Sequence, residues 1–154
     1  HLEGSVDAAH AKGRALTLAV IDIDHFKRFN DTWGHQTGDQ VLRYVASVLG
    51  RTARSPRLAA RYGGEEFAMI FPEESTASVE KALNAVLKEI SSRALRRRST
   101  NDELGAVTIS AGFARLRPKE TAAGLLERAD AALYASKRGG RNRVTDADQL
   151  EQAA

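Results

Sequence analysis

The chain has 154 residues, 42% of them apolar and 28% charged, with a formal net charge of +3 spread along its length. That length supports one compact domain with a sizeable core, and the charge balance suits a polyanionic ligand such as a nucleotide without arguing for a nucleic-acid binder. The lack of cysteine excludes disulfides and thiolate metal sites, and no apolar run approaches the roughly 20 residues needed to cross a bilayer.

The opening HLEGS reads as an expression scar, so residues 1–14 are expected to be a tag and a truncated extension outside the fold. ALTLAVIDID (Ala15 to Asp24) is an apolar, β-rich run that ends in acids, as a buried central strand would. After the polar stretch DHFKRFNDTWGHQTGD, the spacing of Val41, Leu42, Val45, Val48 and Leu49 predicts a helix from Asp39 to Leu49. RLAARYGG alternates and stops on glycine, and EEFAMIFP resumes the alternation, which predicts a hairpin with Gly63 and Gly64 in its turn. Ser75 fits a cap for a second helix striped by Val79, Leu83, Val86, Leu87 and Ile90. The run Arg96 to Arg98 reads as the solvated end of that helix.

GAVTISAGFARL predicts another strand, and Leu125, Leu126, Ala129, Ala132 and Leu133 a third helix ended by Gly139 and Gly140. RNRVT adds a short last strand, and residues 148–154 a tail. The expected order is β-α-β-β-α-β-α-β, whose first six elements match the ferredoxin-like split arrangement. One α+β domain over residues 15–147, with a palm-type, antiparallel-containing sheet of about five strands flanked by helices, is the fold expected.

That topology makes the first strand and the hairpin neighbours. Asp22, Ile23 and Asp24 would then lie beside Glu65 and Glu66, and three or four carboxylates meeting at one edge repel one another unless a cation sits among them. Mg²⁺ takes one or two carboxylates together with phosphate oxygens, which points to a nucleoside triphosphate. The bland reading is a GG turn with two solvated glutamates; a second acidic cluster on the adjacent strand weighs against it. Gly63 and Gly64 lack a Cβ, so a phosphate chain or base can approach their backbone closely.

Asp39 can accept from both N1–H and the amino group of guanine, and Asn30 offers a donor and an acceptor. Asp39 also fits a helix N-terminal acid favoured by the dipole, and His35 fits a loop residue that binds nothing. Lys137 and Arg141 bracket two glycines in a manner suited to a triphosphate, and equally suit a helix C-terminus.

Together these segments resemble the GGDEF-domain family, the diguanylate cyclases. RYGGEEF is similar to the signature hairpin in its GGEEF form, and AVIDIDHFKRFNDTWGHQTGDQVL to the family's strand, loop and first helix. VTISAGFA and LERADAALYASKRGGRNRV are similar to its late strand and C-terminal helix, so the resemblance covers roughly residues 15 to 145. It implies a half-site that condenses two GTP molecules into cyclic di-GMP with loss of two pyrophosphates. It further implies two Mg²⁺ ions per half-site, replaceable by Mn²⁺, held by Asp22, the Ile23 carbonyl and Glu65.

By the same resemblance Glu65 is the proton acceptor and Glu66 assists. Asn30, His35 and Asp39 read guanine and ribose, while the Phe26 and Lys27 backbone, Lys137 and Arg141 hold phosphates. The implied partners are a second copy in a transient homodimer and a sensory or receiver domain outside this chain, in the cytoplasm, with no nucleic acid and no membrane segment. A receptor that binds GTP or cyclic di-GMP without turnover is the competing reading.

Two departures from the family stand out. Its inhibitory product site, Arg-x-x-Asp, is here Arg54-Ser-Pro-Arg57, an arginine pair that could still meet a phosphate. The family's N-terminal Asp-x-Leu-Thr-Gly-Leu-x-Asn-Arg-Arg segment is absent.

Overall fold

A computed structural model describes residues 1–97 and 100–153. In chain order the elements are α1 (Leu2–Lys12), β1 (Leu16–Ile23), α2 (Phe26–Trp33), α3 (His35–Thr52), β2 (Leu58–Arg61), β3 (Glu66–Pro72) and α4 (Thr76–Ser92). They continue as β4 (Leu95–Arg96), β5 (Glu103–Gly105), β6 (Ile109–Arg115), α5 (Ala122–Arg138), β7 (Val144–Asp146) and α6 (Ala147–Ala153).

Five strands form one sheet in the order β2-β3-β1-β6-β7, with β1 antiparallel to both neighbours and β7 parallel to β6. This is the expected ferredoxin-like arrangement with one strand added. All eight residues of β1 are buried, which is why its sequence is mostly apolar, broken by Thr17 and Asp22, rather than an alternation.

Successive side chains of β1 point to opposite faces. Ala19, Ile21 and Ile23 join one core with the apolar stripes of α3 and α4. Leu16, Leu18 and Val20 join a second core with Leu125, Ala129, Ala132 and Leu133 of α5. Asp22 continues that second series at the end of the strand, on the face covered by α5.

The closeness of α5 to the sheet rests on Gly112 in β6. A Cβ there would lie 2.1 Å from the Leu133 amide nitrogen and 2.7 Å from the Ala129 carbonyl oxygen, so only glycine fits under the helix backbone. Ser136 then ties the last turn of α5 to the sheet, donating to the Ala111 carbonyl at 2.7 Å and lying 2.7 Å from the Thr145 hydroxyl.

Ser75 caps α4, its hydroxyl accepting from the Ser78 amide at 3.1 Å, and Thr121 caps α5 in the same way. Five elements, α1, α2, β4, β5 and α6, are additional to the expected order. The opening stretch, set aside on sequence, folds as α1, with Val6 and Ala9 in the second core. The polar DHFKRFNDTWGHQTGD stretch forms α2 and opens α3 at His35, four residues before the expected start. In α2 Phe26 is the buried residue, too little for an apolar stripe.

The run read as a helix end is corrected as well. α4 stops at Ser92, and Arg96 lies in a short ribbon paired with β5; Arg98 lies outside the described residues. The stretch expected as tail, residues 148–154, lies from Asp148 to Ala153 in α6 (Ala147–Ala153), in which Asp148 meets Arg117 and Arg128, both at 3.3 Å.

Arg57 and Glu74 clamp the loop before β2 to the start of α4. The guanidinium donates to both carboxylate oxygens at 2.7 Å and to the Thr52 carbonyl at 3.2 Å, and lies 5.2 Å from the Phe71 ring centre. The hydrogen bonds from Arg57 hold the Glu74 carboxyl below its ordinary value of 4.5. A depressed folded pKa contributes stability above the unfolded pKa and loses it as pH falls through the folded one. Glu74→Gln is expected to cost about 1–3 kcal/mol at neutral pH. In denaturant titrations the gap from wild type should close as the pH drops below 4.5.

Candidate functional site

The register places the acids. Asp22 on β1 faces Glu66 on β3, and the Ile23 amide donates to the Glu65 carbonyl at 3.3 Å. Asp22 is only 2% exposed, and a carboxylate so buried needs a cation or a full set of donors. Lys137, one residue beyond the Ser136 anchor, supplies the cation, with its Nζ 2.5 Å from Asp22 Oδ2.

The Glu65 carboxyl shares a hydrogen bond with Asp22. Its pKa is raised, first by burial and then by the Asp22 charge, with Lys137 pulling the other way and Glu66 adding to the rise. Two carboxylates therefore share one site beside a backbone carbonyl at a strand end, and a lysine offsets part of their charge. Among the described residues no group of three or more acidic or histidine side chains is arranged as a ready metal cage. The set of Asp22, Glu65 and the Ile23 carbonyl does fit a hard dication that takes its remaining ligands from phosphate and water.

Asp24, expected to join this cluster, turns away from it. Its carboxylate accepts from Thr108 at 2.7 Å, Ser110 at 2.6 Å and the Asn142 amide at 3.1 Å, and so is satisfied by neutral donors. Its task is to pin the loop after α5, where Arg141 and Asn142 both adopt positive φ. Arg141 is exposed there, and its guanidinium makes no ion pair among the described residues.

The hairpin turn is braced from below. Arg61 donates to the carbonyls of Gly63 at 3.2 Å and Gly64 at 2.7 Å. A Cβ on Gly63 would lie 2.6 Å from Glu66 Oε2, so Gly63 makes room for that glutamate, whereas Gly64 faces open space. Tyr62 reaches across to α5, its hydroxyl 3.4 Å from Asp130 Oδ1. Burial and the nearby acids push its pKa up to about 12.

Asn30 and Asp39 lie on the other side of β1. Asn30 Oδ1 is buried and accepts no hydrogen bond. A Cβ on Gly38 would lie 1.8 Å from it, so Gly38 is what admits the Asn30 amide. Asp39, the next residue, lines a cavity of about 510 Å³ with Leu42, Arg43, Ala59 and Phe67, between α3 and the hairpin strands. His35 opens α3 and is exposed, as is Lys27; Phe26 is buried, and the first-turn amides of α2 have no intrahelical partner.

Of the Arg54 and Arg57 pair, Arg54 alone is exposed. The Arg57 guanidinium is committed to Glu74 and Thr52. The residues that sequence reading missed are Gly112, Ser136, Thr108, Ser110, Tyr62 and Asp130. Only Gly112 carried a signal, an isolated glycine within a strand pattern.

Residues 1–143 match the family model described as "Diguanylate cyclase, GGDEF domain". The chain is 39% identical over 143 residues to the diguanylate cyclase DgcP of Pseudomonas aeruginosa, covering 93% of this chain and 21% of that protein. It is 38% identical over 132 residues to the diguanylate cyclase VdcA of Vibrio cholerae, covering 86% and 39%. The chain thus spans well under half the length of these curated relatives. Among solved structures, the GGDEF domain of DgcB from Caulobacter crescentus in complex with c-di-GMP superposes with a TM-score of 0.94 at 63% identity, over 96% of this chain and 86% of that one.

Because a methyl at position 38 has no space beside Asn30, Gly38→Ala is expected to leave the circular dichroism spectrum intact. If Asn30 meets guanine, as the sequence reading expects, forcing the amide aside should weaken guanine-nucleotide binding by about tenfold, read by calorimetric titration.

Proposed function

The chain belongs to the GGDEF-domain family of diguanylate cyclases, and from that premise we propose that it is a catalytic half-site, in the GGEEF form, that joins two GTP molecules into cyclic di-GMP with release of two pyrophosphates. The observation that carries this reading is the buried Asp22 carboxylate beside Glu65 and under Lys137. The family requires a divalent metal. Here we infer Mg²⁺, two ions per half-site with Mn²⁺ able to replace them, held by Asp22, the Ile23 carbonyl and Glu65 with Glu66 assisting. When bound, the metal supplies Lewis acidity that eases loss of the ribose 3′-hydroxyl proton and offsets charge on the α-phosphate and leaving pyrophosphate.

The chain's own residues do the rest. Asp39 accepts from the N1–H and amino group of guanine, and the unpaired Asn30 Oδ1 takes a further donor from the nucleotide. A base lacking those donors leaves the buried Asn30 Oδ1 and the Asp39 carboxylate unpaired against it, which is the basis for discrimination. His35 contacts the ribose. The first-turn amides of α2 at Phe26 and Lys27 face the phosphates, and Gly64 leaves open space for them. Lys137 exchanges Asp22 for the triphosphate as the nucleotide enters, joined by Arg141.

Glu65 receives the proton as O3′ of one GTP attacks the α-phosphorus of the other and the bond to pyrophosphate breaks. Two such bonds close the product, so two copies must face each other. We propose that a sensory or receiver domain outside this chain, in a cytoplasmic setting, controls that encounter.

Incubation with GTP and Mg²⁺ followed by chromatography of the products should reveal cyclic di-GMP, formed at a rate rising faster than linearly with protein concentration. Glu65→Gln should lower turnover by at least 100-fold while the melting curve remains cooperative. Undiminished turnover in that variant would remove Glu65 from both proposed roles. GTP binding without product at any protein concentration would leave the receptor reading instead.

A further inference from the structure

On the far side of α3 from the hairpin lies a second cavity of about 500 Å³, between that helix and the segment that follows α4. Arg43, Tyr44 and Ser47 line it from α3, and Arg93 and Arg96 line it from the facing segment. Gln40 joins the two walls, its Nε2 donating to the Arg96 carbonyl at 2.7 Å.

Three arginines line the groove, and among the described residues none forms an ion pair with a carboxylate; Arg43 donates to the Asp39 carbonyl and Arg96 to the Asn101 carbonyl, each at 3.4 Å. Glu89, beside Tyr44, is taken by Arg51 at 2.5 Å, and Glu103 pairs across the ribbon from Arg96 with no ion pair to it among the described residues. Tyr44 holds Arg93 by other means, with the guanidinium carbon 5.3 Å from the ring centre. The ring is itself fixed by its hydroxyl, 3.4 Å from the Glu89 carbonyl. A guanidinium stacked on an aromatic face keeps its N–H fork free for a ligand and loses little freedom on binding.

Like charges lining one groove are unfavourable until an anion lies among them, and a planar fork matches phosphate oxygens in pairs. The volume falls in the range of small-molecule sites. We propose that this groove is a second anion site, built for the phosphate groups of a small phosphorylated ligand. It shares no residue with the Asp22, Glu65 and Lys137 cluster, and Arg43 alone also lines the cavity beside Asp39. The inference does not rest on the cyclase reading.

The test is a pair of titrations followed in ¹⁵N–¹H spectra of the intact chain, one with inorganic triphosphate and one with cyclic di-GMP. Saturable shifts of the Ser47, Ala94 and Leu95 amides are expected, with an affinity that falls as salt is raised. The Arg93→Ala/Arg96→Ala double variant should bind at least tenfold more weakly at these amides. Shifts near Lys137 should persist in that variant and show that it remains folded. Saturation by triphosphate alone identifies a free phosphate chain as sufficient, and at least tenfold tighter binding of cyclic di-GMP identifies a nucleotide diester; either supports the site. Groove amides that stay unmoved at millimolar ligand, or that titrate equally in the variant, would overturn it.

Discussion

A carboxylate at the closed end of the central strand must be met by positive charge, and the arrangement of this domain answers that requirement. Asp22 cannot reach water, because β3 and β6 pair with β1 on both sides and α5 covers the face toward which it points. Its partner has to come from α5, which means that the helix must lie almost against the strand backbone. Gly112 permits that approach, and Ser136 fixes the last turn in register with β6 and β7. Lys137 then falls on Asp22. A larger residue at position 112 would lift α5 and separate the pair, although neither partner touches that residue's side chain.

Asp24 shows how differently two acids of one strand end can be treated. It is also a buried acid, yet three neutral donors satisfy it and it has no need of a cation. Asp22 is paired with a lysine, an interaction that a stronger cation or a polyphosphate can exchange. A carboxylate tied by hydroxyls and an amide belongs to the scaffold, and one balanced by a partly exposed lysine is the one the proposed chemistry draws on. The scaffold acid still serves the site, because it fixes the turn from which Arg141 projects.

Much of this was legible in the sequence because β1, β3, α3, α4 and α5 each bury a long apolar series, and burial imposes a period. The pairing of β1 with the hairpin followed from the ferredoxin-like order, and with it the approach of Asp22 to Glu65. The elements that were missed bury little. α2 hides Phe26, and β4 and β5 have two and three residues, so neither leaves a periodic trace. Side-chain direction was missed for a related reason. Nothing in the string IDID distinguishes the acid that meets a lysine from the one that meets Thr108 and Ser110, since those partners lie more than 80 positions away. Arg57 illustrates the same limit, because its use is decided by Glu74 across the sheet edge.

The proposed chemistry adds a symmetry constraint to this architecture. Each half-site supplies an attacking hydroxyl to its partner and receives one in return, so the two copies must meet through the same surface, related by a two-fold axis. Preorganisation then matters more than affinity between the copies. The hairpin turn is braced by Arg61 and linked to α5 through Tyr62 and Asp130, while the base cavity is walled by α3 and the hairpin strands. On the proposed reading, nucleotide is held by elements braced within one domain, and the ordering cost of the reaction falls on the encounter of the two halves. A cost concentrated in that one step is the kind that a tethered dimeriser removes by raising effective concentration. Control can then be exerted from outside the domain without altering any residue that touches substrate.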